Sequence, residues 1–274
     1  MKHLLLSLSL VFGSLVALAQ PEDHPHHERH YADVGPFETD ELKIEIIKPH
    51  SQVNFSQFSA KIHNKTNDYI LIKKHEITFS SDEMGYGDKH PAESVWFIEP
   101  GGDITRSFKV EGGVGCKVAV IDIKMDGFSR APAEGNPVET VEFKLKPERN
   151  SLMIGPFAVT LKKWRFNQKE VSADFMLRYR GDAVGMARES RIKIRTESGT
   201  VLDNTEAKDQ DFIMPPMKTR SVNVVRKFED GQVGKGESIY IVWENALSEA
   251  EGTPLNVPGF TLKYDPEKTK RENK

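Results

Sequence analysis

The sequence predicts an all-β protein built from two tandem antiparallel β-sandwich domains. Three observations support this prediction: apolar residues recur at every second position, turn signals separate these runs, and segments of the first half recur in the second. The chain has 274 residues, enough for one or two domains. Its composition, 38% hydrophobic and 29% charged, is typical of a folded globular chain rather than a disordered one.

Alternation of apolar and polar residues predicts the strands. The clearest run is 171–179, in which Val171, Phe175 and Tyr179 share one face. A period of two indicates a strand with one buried and one solvated face. Turn signals such as Asp230-Gly231 separate the runs. We expect about seven short strands in each domain, as in antiparallel sandwiches; only 247–251 suggests a helical turn.

The two halves share similar segments in constant order. Val34–Phe37 recurs as Ile154–Phe157, and Val141–Pro147 recurs as Phe260–Pro266. Five further matches lie between them, and the offsets fall between 113 and 121 residues. This interval is far longer than the period of a solenoid repeat, so each copy is expected to be a whole domain. The sequence therefore predicts an internal duplication.

The beginning of the chain has the features of a cleavable signal peptide. Lys2 precedes an apolar stretch, and Ala17-Leu18-Ala19 provides small residues for cleavage before Gln20. The stretch is shorter than the roughly 20 residues that span a bilayer, although an uncleaved anchor helix is the alternative. We expect an exported protein, periplasmic or extracellular, with no transmembrane segment after signal cleavage. The single cysteine, Cys116, allows no intramolecular disulfide.

The predicted organisation has six segments. They are a signal peptide (1–19), a disordered His-rich lead-in (20–34), β-sandwich domain 1 (35–147), a linker (148–153), β-sandwich domain 2 (154–266) and a charged tail (267–274).

The order of turns resembles the immunoglobulin-like modules of bacterial secreted and periplasmic proteins. In the first half, one strand ends in Asn64-Lys65-Thr66-Asn67, and Glu99-Pro100-Gly101-Gly102 turns into a later strand. The second half departs from this pattern, because Pro215-Pro216 replaces the Pro-Gly turn. The resemblance extends over both copies and implies a tandem fold; such modules share no catalytic residues, so it implies no activity.

A group of histidines follows the predicted cleavage site, beside three acidic residues. Neutral imidazoles close together on a flexible segment can chelate a transition metal such as Zn or Cu. The sequence therefore predicts a weak metal site, for which a solvated linker is the alternative. Its residues are His24, His26, His27 and His30.

The halves differ in charge. Residues 20–150 contain 16 basic and 23 acidic residues, a net charge of −7, and residues 151–274 contain 21 and 18, a net charge of +3. If the strands that carry them are neighbours, five cations of the second half form a basic stripe beside Trp164 and Arg165. This stripe would be a face for an anionic partner such as an acidic polysaccharide or a lipid headgroup; an ordinary solvated sheet face is the alternative. The five cations are Arg178, Arg180, Arg191, Lys193 and Arg195. Nucleic acid is not expected, because the pI is near 6.3 and no recognition motif is present.

No combination of nucleophile, base and orienting residue is apparent in the sequence, so we expect no enzymatic activity. The Gly127–Ala131 segment resembles a nucleophile elbow only faintly, since no histidine follows it. The sequence favours a binding or structural module that contacts an envelope or extracellular protein through its loops, above all 80–90 and 203–211. A metal-binding accessory protein and a polysaccharide-binding module with an exposed tryptophan are the alternatives.

Overall fold

The structure is a computed structural model, and it describes residues 27–82, 95–112, 116–208 and 211–273. Within these ranges the chain is all-β, its strands are paired antiparallel, and a single α-helix lies near the C-terminus. None of the helices in the described ranges has the length and apolar character needed to cross a membrane.

The first half of the described chain contributes twelve strands. They are β1 (Arg29–His30), β2 (Phe37–Glu38), β3 (Leu42–Gln52), β4 (Phe55–Asn64), β5 (Tyr69–Lys73), β6 (Ile77–Ser80), β7 (Val95–Ile98), β8 (Asp103–Glu111), β9 (Val120–Met125), β10 (Phe128–Ala131), β11 (Asn136–Pro137) and β12 (Val141–Lys144). A 3-10 turn, Lys74–Glu76, joins β5 to β6.

The second half of the described chain contributes another twelve strands and the helix. They are β13 (Ser151–Ile154), β14 (Phe157–Asn167), β15 (Glu170–Tyr179), β16 (Val184–Ala187), β17 (Ile192–Thr196), β18 (Val201–Asp203), β19 (Phe212–Met214), β20 (Thr219–Lys227), β21 (Ile239–Trp243), β22 (Leu247–Ala250), β23 (Thr253–Pro254), β24 (Phe260–Lys263) and α1 (Pro266–Glu272). A 3-10 turn, Glu189–Arg191, joins β16 to β17.

These strands form six sheets. In pairing order, they are sheet 1 (β1-β3-β4-β8, with β2 also on β3), sheet 2 (β23-β10-β5-β7), sheet 3 (β24-β9-β6), sheet 4 (β13-β14-β15-β20), sheet 5 (β11-β22-β16-β19) and sheet 6 (β12-β21-β17-β18). Sheet 3 continues sheet 2, because β5 leads into β6 and β9 leads into β10. Sheet 6 continues sheet 5 in the same way.

Two cores lie between these sheets. In the first, Leu42 and Ile44 of sheet 1 belong to the same buried cluster as Ile123 of sheet 3. In the second, Val159 of sheet 4 shares a cluster with Ile241 of sheet 6. The alternating residues of each strand supply these inward faces, so the period-two pattern of the sequence produces the sandwich packing.

The pattern of pairing recurs in the two halves. The long strands β3 and β14 each contain one register shift, between Ile47 and His50 and between Leu161 and Lys163. Each half also has a 3-10 turn at the same place in its strand order, and β7 and β19 occupy corresponding sheet edges. A shift of this kind bends a strand and changes which side chains face solvent.

The final strands of the two halves are exchanged. β12 pairs with β21, with Phe143 opposite Ile241, whereas β24 pairs with β9, with Leu262 opposite Ile121. β11 and β23 cross over in the same manner, onto β22 and β10. The pairing therefore crosses the predicted linker at 148–153. Neither 35–147 nor 154–266 contains all the strands that enclose its own core.

A third apolar cluster joins the halves. Tyr69 and Leu71 of sheet 2 pack with Val184 and Met186 of sheet 5, while Ile70, next to them on β5, lies in the first core. β5 and β16 are therefore buried on both faces. This differs from the expectation that each sheet has a solvated face, because sheets 2 and 5 cover one another.

Arg188, which directly follows β16 of sheet 5, is a buried cation at this junction. Its side chain is 4% exposed and donates hydrogen bonds to Asp211 (Nε to Oδ2, 2.9 Å), to Ser248 (Nη1 to Oγ, 3.0 Å) and to the Ala133 carbonyl oxygen. Ala133 precedes the exchanged strand β11, so the guanidinium connects the crossing segment to the second half. A buried charge requires this degree of pairing to offset its desolvation.

The two ends of the described chain are also held together. The Lys268 ammonium of α1 donates to the Tyr31 carbonyl and to Asp33 (3.0 and 2.6 Å), and Asn273 exchanges hydrogen bonds with the backbone of Glu28. Tyr31 is fully buried, and its hydroxyl contacts Ser51. Residues 27–34, expected to belong to a disordered lead-in, instead form β1 and a core contact, and most of the expected tail is helical. Residues 247–250, expected to make a helical turn, are strand β22.

The exchange predicts how the chain tolerates cutting. Residues 27–147 and 148–273 expressed separately should each lack a cooperative urea transition, because each half lacks the strands that complete its sheets. Co-expressed, they should form a 1:1 complex. The matched control is one chain in which residues 27–131 and 252–273 are joined by an Asn-Gly turn. This turn can connect Ala131 to Gly252 because β10 and β23 are antiparallel neighbours, and the control then contains both β23 and β24. This control should unfold more cooperatively than 27–147; two stable fragments from the simple cut would contradict the pairing.

Replacing Arg188 tests the buried cation. Arg188→Met should lower the free energy of unfolding by about 2–4 kcal/mol, because Asp211 and Ser248 lose their donor while partly or fully buried. The measurement is urea denaturation, with Arg195→Met, at an exposed ion pair with Glu142, as the control of nearly unchanged stability. Equal effects of the two substitutions would contradict a special role for the buried guanidinium.

Candidate functional site

The predicted histidine cluster lies partly outside the described residues, which begin at His27. His24 and His26 therefore lie outside the described residues, whereas His27 and His30 lie beside the C-terminal helix. Among the residues that the structure describes, no group of three or more His, Cys, Asp or Glu side chains is arranged to hold a metal ion. Zinc or copper binding by this segment remains a prediction.

The structure brings His30 next to His50, which the sequence reasoning did not select. The two residues are directly opposite on β1 and β3, their rings stack, and both approach Glu28, with Nε2–carboxylate distances of 3.4 and 3.9 Å. Burial lowers the pKa of His30, while Glu28 opposes this shift. His50 could not have been paired with His30 from the sequence, because β3 begins more than ten residues after β1.

The condition for the predicted anion-binding face is not met. Arg178 lies on β15 in sheet 4, with Arg180 just beyond its end, whereas the other three cations lie on or beside β17 in sheet 6, so the strands are not neighbours. Those three each have an acidic partner. The pairs are Arg191–Glu134, Lys193–Asp203 and Arg195–Glu142.

A cleft of about 800 Å³ opens where sheets 2 and 5 meet. One wall has Leu71 of β5 and Phe97 of β7, which are paired across the strands, and the other has Val184 and Pro215. These apolar residues are together called the apolar floor of the cleft. The rest of the lining includes charged or titratable side chains of both signs. They are Lys73, His75, Glu76, Asp126, Asp182 and Lys218.

Close backbone approach at Gly127 forms one wall of the cleft. The Gly127 carbonyl accepts a hydrogen bond from the Lys73 amide (2.8 Å), and a Cβ at Gly127 would lie 2.3 Å from the Lys73 carbonyl oxygen. Only glycine allows the turn after β9 to lie this close to the end of β5. The glycine that suggested a nucleophile elbow therefore has a packing role.

The polar groups of the cleft do not form a catalytic arrangement in the described residues. Ser129 and His75 both line the cleft, yet no hydrogen bond joins them, and the buried Nδ1 of His75 has no hydrogen-bond partner. Lys73 pairs with Glu76 at 3.0 Å. General-base activation of a serine needs a direct contact to histidine, and Ser129 and His75 do not make this contact.

A smaller cavity of about 240 Å³ adjoins the cleft and shares Phe97 and Lys218 with it. Burial, assisted by Asp211 and Glu99, raises the pKa of Tyr69 to about 12, so its phenol stays neutral at physiological pH. Asp211 also belongs to the 203–211 loop, predicted as a partner-binding loop. The other predicted loop, 80–90, is described only as far as residue 82, and β7 follows it in the chain.

A continuous apolar run in the sequence could have indicated the doubly buried strand beside the cleft. Tyr69 to Ile72 is a continuous apolar run, which is typical of a strand buried on both faces. The run predicts a second layer over this strand but not which segment supplies it.

No protein-family model matches the chain. No curated protein matches it significantly.

The shifted His30 predicts a pH dependence of stability. Because the folded state holds the pKa of this imidazole below its usual 6.5, the unfolded chain takes up the proton more readily. Stability is therefore lost as pH falls through 6.5 toward the folded-state pKa. The free energy of unfolding should fall further between about pH 7.5 and about pH 5.5 in the wild-type chain than in His30→Gln. Equal losses in the two proteins would contradict the shift.

Proposed function

We propose that this chain is an exported, non-catalytic binding module that holds an extended segment of an envelope or extracellular protein in the cleft between sheets 2 and 5. The observation that carries the proposal is the cleft itself, about 800 Å³ in volume, with an apolar floor and a charged rim. Pockets of this kind, at the junction of two structural units, are a common form of binding site. Export rests on the signal-peptide pattern of residues 1–19.

Strand edges at the cleft support a protein segment as the ligand. β7 is the last strand of sheet 2 and β19 the last strand of sheet 5 within the described residues. An edge strand offers unpaired backbone groups, and an extended peptide can add to it through main-chain hydrogen bonds. Phe97 and Ile213 lie on these two strands, and both are partly buried beside the junction, so apolar side chains of the added strand would have neighbours.

The rigidity of the junction supports binding rather than catalysis. The exchanged strands, the shared apolar cluster and the Arg188 hydrogen bonds fix the two walls of the cleft relative to each other. A binding site that is held in shape before its ligand arrives loses less conformational entropy on binding. The predicted contact loops 80–90 and 203–211 precede β7 and β19 in the chain. β7 lines the cleft, and β19 lines the smaller cavity beside it.

We also propose that the two halves are immunoglobulin-like sandwiches related by an internal duplication. Support comes from the recurrent strand order, from the register shifts in β3 and β14 and from the paired 3-10 turns. The similarity of Val141–Pro147 to Phe260–Pro266 extends to their structural role. Each is the final strand of its half and completes the sheet of the other.

Affinity capture from the native cell envelope tests the binding function. Tagged mature protein (20–274) should retain a stoichiometric protein partner, and Phe97→Arg should lose it, because the charge would lie on the apolar floor. Val201→Arg is the matched control: Val201 is 59% exposed on β18 and does not line the cleft. Thermal unfolding should show that both variants remain folded. Equal retention of the partner by the two variants would refute the cleft as its site.

A further inference from the structure

A second surface, on sheet 4, has unpaired cations around an exposed tryptophan. Four consecutive residues at the outer end of β14 are exposed: Lys162, Lys163, Trp164 and Arg165, here named the basic–aromatic edge. A regular strand would turn every second side chain inward. The register shift between Leu161 and Lys163 breaks this alternation at Lys162. Beyond it, Lys163 and Arg165 share one face of the strand and Trp164, opposite Ala173, lies on the other, and all of them are exposed at this end of β14.

The cations of the basic–aromatic edge lack acidic partners. Within the part of the chain that the structure describes, Lys162, Lys163 and Arg165 take part in no ion pair and no side-chain hydrogen bond. The three cations on or beside β17, by contrast, are each neutralised by a carboxylate. Three positive charges within four consecutive positions, none of them held in an ion pair, attract anionic groups from solution. The cations of the β17 face are therefore neutralised locally, whereas those of the basic–aromatic edge are not held in ion pairs.

Trp164 differs from the other two tryptophans. Trp243 is 1% exposed in the second core, and Trp96 is covered by Lys74 and Arg106. Trp164 is 40% exposed, and among the described residues no ring or cation stacks on it. An open indole is a flat apolar platform that can pack against the face of a planar or ring-shaped ligand.

Comparison of the two halves shows that this strand edge is open only in the second half. In the first half, the stretch of β3 after its register shift, His50–Ser51, is covered by β1 (Arg29–His30). In the second half, β13 pairs only with residues 157–160 of β14, and no described strand covers residues 162–167 on that side. The edge therefore has room for a ligand at the place where the first half has its own chain.

We infer that the basic–aromatic edge binds an acidic polysaccharide, with the sugar ring on Trp164 and its carboxylate or sulfate groups on the three cations. Clustered arginine and lysine side chains occur at sites for polyanionic chains, and a guanidinium matches carboxylate or sulfate oxygens in pairs. A linear glycan can lie along an open strand, because both are extended. None of these residues lines the cleft proposed for the protein partner, so the two sites are independent.

Binding of heparin, as a sulfated glycan probe, tests this inference on the mature chain (20–274). Affinity should be measured by titration of tryptophan fluorescence at low salt, and raising NaCl to about 0.3 M should weaken it by roughly tenfold or more, since the contacts are exposed. The fluorescence change should be absent in Trp164→Phe. Uncharged dextran should not bind.

Two matched triple variants identify the site. Lys162→Gln/Lys163→Gln/Arg165→Gln should weaken heparin binding by roughly tenfold or more, whereas Arg191→Gln/Lys193→Gln/Arg195→Gln, with the same change in net charge, should remain within about threefold of wild type. Thermal unfolding checks that both remain folded. Equal weakening by the two triples would overturn the inference, as would binding to anionic phospholipid vesicles without binding to heparin. Aggregation of the first triple, with no heparin bound by the wild type, would assign these cations to protection of the strand edge.

Discussion

The reciprocal exchange of the final strands is the constraint on which the rest of the structure depends. Because β12 completes the sheet of the second half and β24 that of the first, each core contains residues from both halves of the sequence. Two crossings in opposite directions prevent either half from closing its sandwich alone. The segments that carry the crossings then bring sheets 2 and 5 face to face.

This arrangement explains where the polar residues of the junction lie. A crossing backbone leaves carbonyl groups away from any ladder, and buried carbonyls need donors. Arg188 donates a hydrogen bond to the Ala133 carbonyl. Asp211 balances the charge of the guanidinium, and Asp211 and Ser248 accept hydrogen bonds from its other N–H groups. In the same way, the Tyr179 hydroxyl donates to Glu249 (2.6 Å) on β22, the strand that receives β11.

The junction and the open strand edge give the molecule two different kinds of surface. The cleft is apolar at its floor and formed by both halves, so it exists only when the exchange is complete. The basic–aromatic edge belongs to one strand of sheet 4 and depends on a local register shift. The protein segment and the acidic glycan that we propose as ligands would therefore occupy separate surfaces, and one would not exclude the other.

Features that depend on local sequence patterns were predictable, whereas contacts between residues far apart in the chain were not. The alternation in β3 and β15 predicted strands because side chains of a strand point to opposite faces in turn, and the structure is all-β as expected. Tyr31 was misjudged because polar residues surround it. Its burial depends on partners more than 80 residues away, such as Val118 and Tyr264.

The sequence by itself determined the class of fold and the similarity between the halves, since both depend on local periodicity and on repeated short segments. It could not determine which half each final strand would join. Val141–Pro147 and Phe260–Pro266 are alike, so the same apolar pattern fits either sheet, and only the path of the connecting chain decides between them. The cleft and the pairing of Arg188 follow from that path, and the proximity of His30 to His50 follows from the pairing of β1 with β3. They were decided by tertiary structure, because each joins residues whose separation along the chain contains no information about their distance in space.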